Sequence, residues 1–411
     1  MARILVLTTR LPYPPREGHQ LRTWHLLRAL AREHEVTLAS CLRRDDALDN
    51  CSPLRAMLAR LETFPIRSEQ SRAALLGDLV KTSIGTQPFV AVKYDSKRMR
   101  SRVAELIERT DLVQIDMLPL IRLVPADCRV PLVLDAQNVE YQLLRQRADC
   151  EPGWVRRLFL RKQVPKLRRF ERNACRRSDH VIACSPDDAR ELSRLEPRTP
   201  ISVVPNGVDV ESARPAAHAV ADPARLVFVG QMSWFPNRDG VRWFIAEVLP
   251  RILAVRPDAQ FTLVGKTAGL NVPPQLRAQV RLAGFVDDLQ PELHNSAIYV
   301  LPLRYGSGTR LKLLEAMAFG KPIVTTQIGA QGVDLVAGHE ALFADDAQGF
   351  AAAVLQLIAD PQLAARLGAA ARAKAQARYD WRIIGRDLLA TYDELLHRSP
   401  AQRFAEAVEA A

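Results

Sequence analysis

Soft metal ligands are few: the 411 residues include only six cysteines and eight histidines. Cys41, Cys51, Cys128, Cys150, Cys175 and Cys184 all lie in the first half and form no C-x-x-C pair, which argues against a zinc site and a secreted disulfide framework. The histidines form no H-x-x-x-H pattern, and no D-x-D pair occurs. The adjacent acids Asp45/Asp46, Asp187/Asp188, Asp287/Asp288 and Asp345/Asp346 stand in unrelated surroundings. No stretch reaches the roughly 18 apolar residues of a membrane-spanning helix. The apolar run within Met1–Thr8 is too short for a signal peptide and lacks a small-residue cleavage site. A cytosolic, reduced protein with no metal and no resident cofactor is expected.

Acidic residues are also in deficit. Lys and Arg number 57 against 46 Asp and Glu, giving a formal charge of +11. Such a balance favours nucleic acid, anionic lipid or phosphorylated small molecules as partners. No nucleic-acid-binding module accompanies it, so nucleic acid is not an expected partner. The 48% hydrophobic and 25% charged residues are ordinary for a globular chain, long enough for two sizeable cores.

Short β-branched runs alternate with longer helical patterns, as in βαβ units with parallel sheets. The first half offers strands at Ile4–Thr8, Val36–Ser40, Leu112–Ile115, Val130–Leu134, Val181–Ser185 and Ile201–Val204. Leu21, Trp24, Leu27, Leu30 and Ala31 recur at helical spacing after the first of these. Asn206–Asp222 reads as a linker. Strands then resume at Leu226–Val229, Gln260–Val264, Val280–Ala283, Ile298–Leu301 and Ile323–Thr326. Helices are expected at Gly240–Leu253, Ala347–Ala359, Pro361–Arg378 and Arg382–His397. Two α/β halves of this kind predict two facing Rossmann-like domains with a cleft between them. Ligands of such sheets bind beyond the carboxyl ends of the strands.

One such strand end carries Tyr305-Gly306-Ser307-Gly308-Thr309-Arg310-Leu311-Lys312-Leu313-Leu314-Glu315 and runs into a helical pattern. Glycines allow close approach of backbone N–H groups, and a helix N-terminus favours an anion. Neither the dinucleotide fingerprint nor the triphosphate-loop ending is complete. Arg310 and Lys312 fall where a helix dipole disfavours cations, a penalty that a bound diphosphate reverses. Lys312 and Glu315 also fit a plain surface pair worth about 0.3 kcal/mol. Both readings stand on the residues alone.

Asn206-Gly207-Val208-Asp209, Gly284-Phe285-Val286, Gly308 through Ala318 and Gly320-Lys321-Pro322-Ile323-Val324 occur in an order and spacing that resembles the retaining glycosyltransferases of the GT4 (group 1) family. Looser matches at Pro12–Gly18, Leu134–Glu140 and Asp179–Ser185 extend the likeness through the first half. The resemblance is to bacterial sugar transferases associated with exopolysaccharide assembly. It implies a GT-B fold with an acceptor-side domain at 1–205, a linker at 206–222 and a nucleotide-sugar-binding domain at 223–381. A C-terminal helix at 382–411 is expected to pack back on the first domain. It also implies transfer of a sugar from a nucleotide-sugar donor to a glycan or lipid-linked acceptor. Donor-binding positions are then Gly18, Gly230, Phe285, Val286, Gly306, Ser307, Gly308, Thr309 and Glu315, the last matching the ribose-binding glutamate of an E-x7-E motif. Ser307 stands where that motif has its first glutamate, which usually meets the donor sugar. The family's basic pair after the first strand of this domain is absent from Gly230–Asn237, so Arg310 and Lys312 become the phosphate clamps.

On the acceptor side, Gly18 matches the family's flexible loop, with His19 and Arg22 as contacts, or else it only permits a turn. Gln137 takes the place of a histidine that in many relatives touches the reacting sugar. A glutamine can hydrogen-bond a hydroxyl but cannot shuttle a proton. Asn138 is a further acceptor-side candidate, or a helix cap. Trp154–Arg177 carries ten Lys and Arg interleaved with Trp154, Phe159, Phe170 and aliphatic residues. It reads as a surface for anionic membrane lipid or as a solvated helix face. A nucleotide-sugar epimerase and a non-catalytic scaffold are the alternatives to a transferase.

Overall fold

The computed structural model describes residues 1–15, 17–44, 46, 51–215, 222–306 and 308–397. It divides into two compact units, Met1–Pro205 with the chain from Ile384 onward, and Asn206–Ile383.

The first unit is built on β1 (Arg3–Thr8), β2 (Glu35–Leu42), β3 (Arg60–Pro65), β4 (Leu112–Asp116), β5 (Leu132–Ala136), β6 (His180–Ala183) and β7 (Ile201–Val203). They pair in parallel in the order β3-β2-β1-β4-β5-β6-β7. Ile4 through Leu7 and Leu112 through Ile115 are buried, as the central strands of a sheet covered on both faces require. The second unit holds β8 (Arg225–Val229), β9 (Gln260–Val264), β10 (Val280–Gly284), β11 (Ile298–Leu301), β12 (Ile323–Thr325) and β13 (Leu342–Phe343). These are parallel in the order β10-β9-β8-β11-β12-β13. Both units are thus Rossmann-like, and the order reverses beside β1 and beside β8, where ligands of such sheets bind.

The structure departs from the sequence reading in several places. β3 and β13 went unread because each is an edge strand: Phe64 alone is buried in β3, and β13 has two residues. The strand expected at Val130–Leu134 is shifted to Leu132–Ala136, carrying Asp135 into the sheet; Pro131 has no N–H for the ladder. The helix expected from Gly240 begins at Phe235 and passes through a π-turn at Phe244–Val248. Pro250, which cannot donate to the carbonyl four residues back, follows directly.

Residues 206–215 of the expected linker are packed on the second unit: Val208 N–H donates to Tyr379 O at 2.7 Å, and Arg372 Nη1 to Ala213 O at 2.7 Å. The rest of that linker up to residue 221 lies outside the described residues. The last helix, Trp381–His397, belongs to the first unit from Ile384, where the Tyr392 hydroxyl donates to Gln114 Oε1 at 2.7 Å.

Candidate functional site

In the second unit three glycines close the carboxyl ends of neighbouring strands. Gly230 follows β8, Gly265 follows β9 and Gly284 ends β10. Gly230 N–H donates to Val264 O and Gly265 N–H to Gly284 O, each at 2.7 Å. At Gly265 φ is +128°, and a Cβ there would collide with the Gly230 carbonyl oxygen. Only glycine fits. Sequence reading missed Gly265; its place directly after a buried strand was the available signal.

The two cations lie against Cβ-less backbone in the same unit. A Cβ on Gly230 would stand 2.5 Å from Lys312 Nζ, which also sits 5.5 Å from the Phe228 ring centroid. A Cβ on Gly306, where φ is +132°, would collide with the Arg310 guanidinium. Arg310 occupies the N-cap of the helix Leu311–Ala318, and Lys312 is its second residue. The first turn contains no acidic residue, so the helix dipole is left for an anion. Gly308 has φ of +76°, and Thr309 is backed by Gly332, another positive-φ glycine whose added Cβ would come 2.8 Å from Thr309 Cα.

Burial and the Arg310 charge push the Lys312 amine down to about 7, against the opposing pull of Glu315. Burial pushes the Glu315 carboxyl up to about 7, opposed by Lys312. No ion pair or hydrogen bond joins Lys312 to Glu315 among the described residues, and neither is fully exposed. The surface-pair reading is therefore corrected: both groups are set into the unit. Phe285 is exposed and Val286 half-buried beyond Gly284. Ser307 lies outside the described residues.

In the first unit the structure gathers a polar cluster at the ends of β4 and β5. Asp116 and Asp135 face each other in register. Asp135 takes a bidentate pair from Arg22, with Nη2 at 2.7 Å and Nε at 3.0 Å. Arg22 Nη1 also donates to the carbonyl oxygens of Val204 at 2.9 Å and Pro205 at 3.1 Å. Only 1% of Arg22 is exposed. This corrects the acceptor-side reading of Arg22: its guanidinium is committed to the fold.

Asp116 was not singled out from sequence, because the strand was taken to stop at Ile115. Its Oδ2 accepts from the Thr23 hydroxyl and its Oδ1 from Gln137 Nε2, both at 2.5 Å. Burial and the Asp135 charge push the Asp116 carboxyl up to about 7. Gln137 is thereby held by its amide nitrogen, which leaves its oxygen as the hydrogen-bond acceptor for a ligand hydroxyl. Asn138 is not the cap of the helix Glu140–Cys150, which begins from Val139; the Glu171 carboxylate takes the N–H groups of Glu140 at 2.9 Å and Tyr141 at 3.0 Å.

Gly18 opens the helix Gly18–Glu33, with Glu17 as N-cap in a reciprocal capping box with Gln20. Burial pushes the neighbouring His19 imidazole down to about 4, so it is neutral at pH 7. Its Nε2 is buried and has no hydrogen-bond partner among the described residues.

A pH dependence follows for this cluster. Asp116 titrates higher in the folded than in the unfolded chain, so its protonation stabilises the fold below about pH 4, and that contribution is lost as pH rises to about 7. The slope is at most about 1.4 kcal/mol per pH unit for one proton. Asp116→Asn keeps both hydrogen bonds available and is expected to flatten the thermal-unfolding midpoint between pH 5 and pH 7. Parallel wild-type and variant profiles would remove Asp116 from this role.

Comparison with known proteins bears on both units. Residues 17–212 match the family model described as Glycosyltransferase Family 4, and residues 223–360 match that described as Glycosyl transferases group 1. Glycogen synthase of Mycobacterium tuberculosis is 31% identical over 245 residues, covering 56% of this chain and 57% of the relative. The phosphatidyl-myo-inositol mannosyltransferase of Mycolicibacterium smegmatis is 30% identical over 201 residues, covering 46% of this chain and 51% of the relative. The chain thus spans about half the length of the curated relatives it matches. Among solved structures, Anabaena HepE in complex with UDP and glucose aligns with a TM-score of 0.62 at 15% identity, covering 96% of this chain and all of that one. That likeness is one of fold, and the fold is GT-B. The chain belongs to the group 1, family 4 glycosyltransferases.

Proposed function

We propose that the protein moves a sugar from a nucleotide-sugar donor to a glycan or lipid-linked acceptor, with retention of configuration, in exopolysaccharide or cell-envelope glycan synthesis on the cytoplasmic side. The observation that carries this reading is the pair Arg310 and Lys312, set at one helix N-terminus against Gly230 and Gly306. Two cations at a helix start whose first turn holds no acidic residue suit a diphosphate, and Glu315 on the same helix suits the ribose hydroxyls. The names of the two curated relatives support a glycosyl donor, and one of them an inositol-lipid acceptor.

In the proposed reaction the bond from the anomeric carbon to the phosphate oxygen breaks. The acceptor oxygen bonds to the same face of that carbon, and the acceptor's proton passes to the departing phosphate. Arg310, Lys312 and the helix N-terminus stabilise the leaving diphosphate electrostatically. Gln137, fixed by Asp116, orients a hydroxyl and transfers no proton. The positive charge comes from side chains, so transfer is expected to survive a chelator. Loss of transfer with chelator and its return with Mg²⁺ or Mn²⁺ would overturn this part.

The direct test is a thermal-shift panel of UDP-, GDP-, ADP- and dTDP-sugars. A ligand at about 100 times its dissociation constant adds about 2.7 kcal/mol to stability. UDP-sugars are the first to try, given the UDP in the aligned structure. Stabilisation by one donor, with slow release of its sugar to water, supports a transferase. No stabilisation by any donor would leave a scaffold, and an epimerised donor without acceptor would make the protein an epimerase.

The diphosphate site also predicts a pH dependence. Lys312 is about half protonated near pH 7 when empty, and a diphosphate favours its charged form. Affinity should therefore fall as pH rises past 7, by up to about tenfold per unit. Lys312→Met cancels this slope and leaves only the ligand's own titration. Identical slopes in titration calorimetry of the two proteins would exclude Lys312 from the phosphates.

A further inference from the structure

A cavity of about 600 Å³ opens on the second unit, lined by Glu211, Arg214, Arg372, Gln376, Asp380 and Arg382. That is the size of pockets that hold small molecules, which run from about 300 to 1,000 Å³. Its residues come from two stretches of chain, one just after Asp209 and one at the end of the helix Pro361–Arg378 and the turn that follows. Backbone bonds pin the two together. Val208 N–H donates to Tyr379 O at 2.7 Å, and Trp381 N–H donates to Val208 O at 3.3 Å. Arg372 Nη1 adds bonds to Ala213 O and to Ala318 O. Ala318 is the last residue of the helix whose start carries Arg310 and Lys312, so the cavity lies at the other end of that helix.

Several polar groups of the cavity are unused. Arg214 engages only its Nε, with Glu211 O at 3.4 Å, and neither Nη has a partner among the described residues. Arg372 spends Nη1 on the two carbonyls and makes no ion pair among the described residues; burial holds its guanidinium below the ordinary arginine range. Gln376 lies one helical turn from Arg372, and its amide makes no hydrogen bond among the described residues. The acids are partly engaged. Arg382 Nη2 pairs with Asp380 at 2.7 Å, and its Nη1 pairs with Glu211 Oε1, which leaves Glu211 Oε2 without a partner among the described residues.

These groups select a class of ligand. Guanidinium forks match phosphate oxygens, and here two of them have no carboxylate pair. An amide and a carboxylate oxygen suit hydroxyls. Three arginines against two acids leave a single net positive charge, too little for a polyanion such as nucleic acid. We propose that the cavity binds a phosphorylated polyol or sugar, with its phosphate on Arg214 and Arg372 and its hydroxyls on Gln376 and Glu211. This site is separate from the diphosphate site and does not depend on the reaction proposed above.

Titration calorimetry of the full chain with sorbitol 6-phosphate, inorganic phosphate and sorbitol tests it. Sorbitol 6-phosphate should bind saturably and more tightly than inorganic phosphate, and sorbitol should not bind. Arg214→Gln should weaken both phosphates by at least about tenfold. Gln376→Ala should weaken sorbitol 6-phosphate alone, by about two- to tenfold. Arg310→Ala should leave both unchanged, whether or not that residue meets a nucleotide. Arg214 and Gln376 are exposed, and unchanged unfolding midpoints without ligand establish that their variants are folded. Absence of binding by either phosphate overturns the proposal, as does binding that Arg214→Gln leaves intact or that Arg310→Ala abolishes. Equal affinity for the two phosphates, with no effect of Gln376→Ala, overturns the assignment of a polyol.

Discussion

Arg310→Ala and Lys312→Ala are each expected to lower nucleoside-diphosphate affinity and turnover together by ten- to over a hundredfold. A hydrogen bond from a charged donor contributes about 1.5–3 kcal/mol, and the first turn of this helix holds no acidic residue. The double variant should exceed either single one but fall short of their product, because Arg310 already depresses the Lys312 amine and its removal restores part of the remaining charge. Glu315→Gln should behave differently, losing affinity for nucleosides while retaining pyrophosphate. Gly230→Ala offers an independent check. Its methyl group would stand 2.5 Å from Lys312 Nζ and 2.7 Å from the Phe228 ring, so it should mimic Lys312→Ala without altering any charge. Calorimetry with UDP and GDP reads all five variants. Unchanged diphosphate binding in the Arg310/Lys312 double variant would return both residues to a structural role.

The sequence reveals these two cations because they break a local rule: a helix start that should favour acids carries bases. The same kind of conflict was unavailable for Asp116. A carboxylate at the end of an apolar strand looks like the start of a loop. Only the register that sets it opposite Asp135, with Thr23 and Gln137 arriving from distant segments, turns it into a buried group. The central strands were legible because both faces are covered and their apolar runs are continuous. β3 was not, since an edge strand with one buried residue has no such run. Arg22 misled for a related reason. One arginine in an amphipathic helix reads as solvated or functional, and its commitment to Asp135 spans 113 positions of chain. The basic helix was readable as basic, but which of its ten cations remain free depends on Glu196, Asp149 and carbonyls supplied by other elements.

Arg22→Met should destabilise the first unit by about 3–5 kcal/mol, the usual cost of stranding one member of a buried ion pair. Three features place it toward the upper end. Asp135 is 0% exposed and loses a bidentate partner; the carbonyls of Val204 and Pro205 lose a donor; and Asp116 loses the cation that offsets its like-charged neighbour. Asp135→Asn should cost less, because an amide still accepts one guanidinium hydrogen bond and the repulsion on Asp116 disappears. The pair Arg22→Met with Asp135→Leu should recover much of the single-variant loss, since a buried pair replaced by apolar residues of similar size is often near neutral. Recovery is limited by the two carbonyls, which no apolar side chain can satisfy. Thermal and denaturant unfolding of the pair, of Arg22→Met and of Asp135→Leu alone closes the cycle, with Asp135→Asn measured alongside, and the coupling between the two sites should exceed about 2 kcal/mol. A loss below about 1 kcal/mol for Arg22→Met would class the pair with solvated ones and restore its guanidinium as a group free to meet an acceptor.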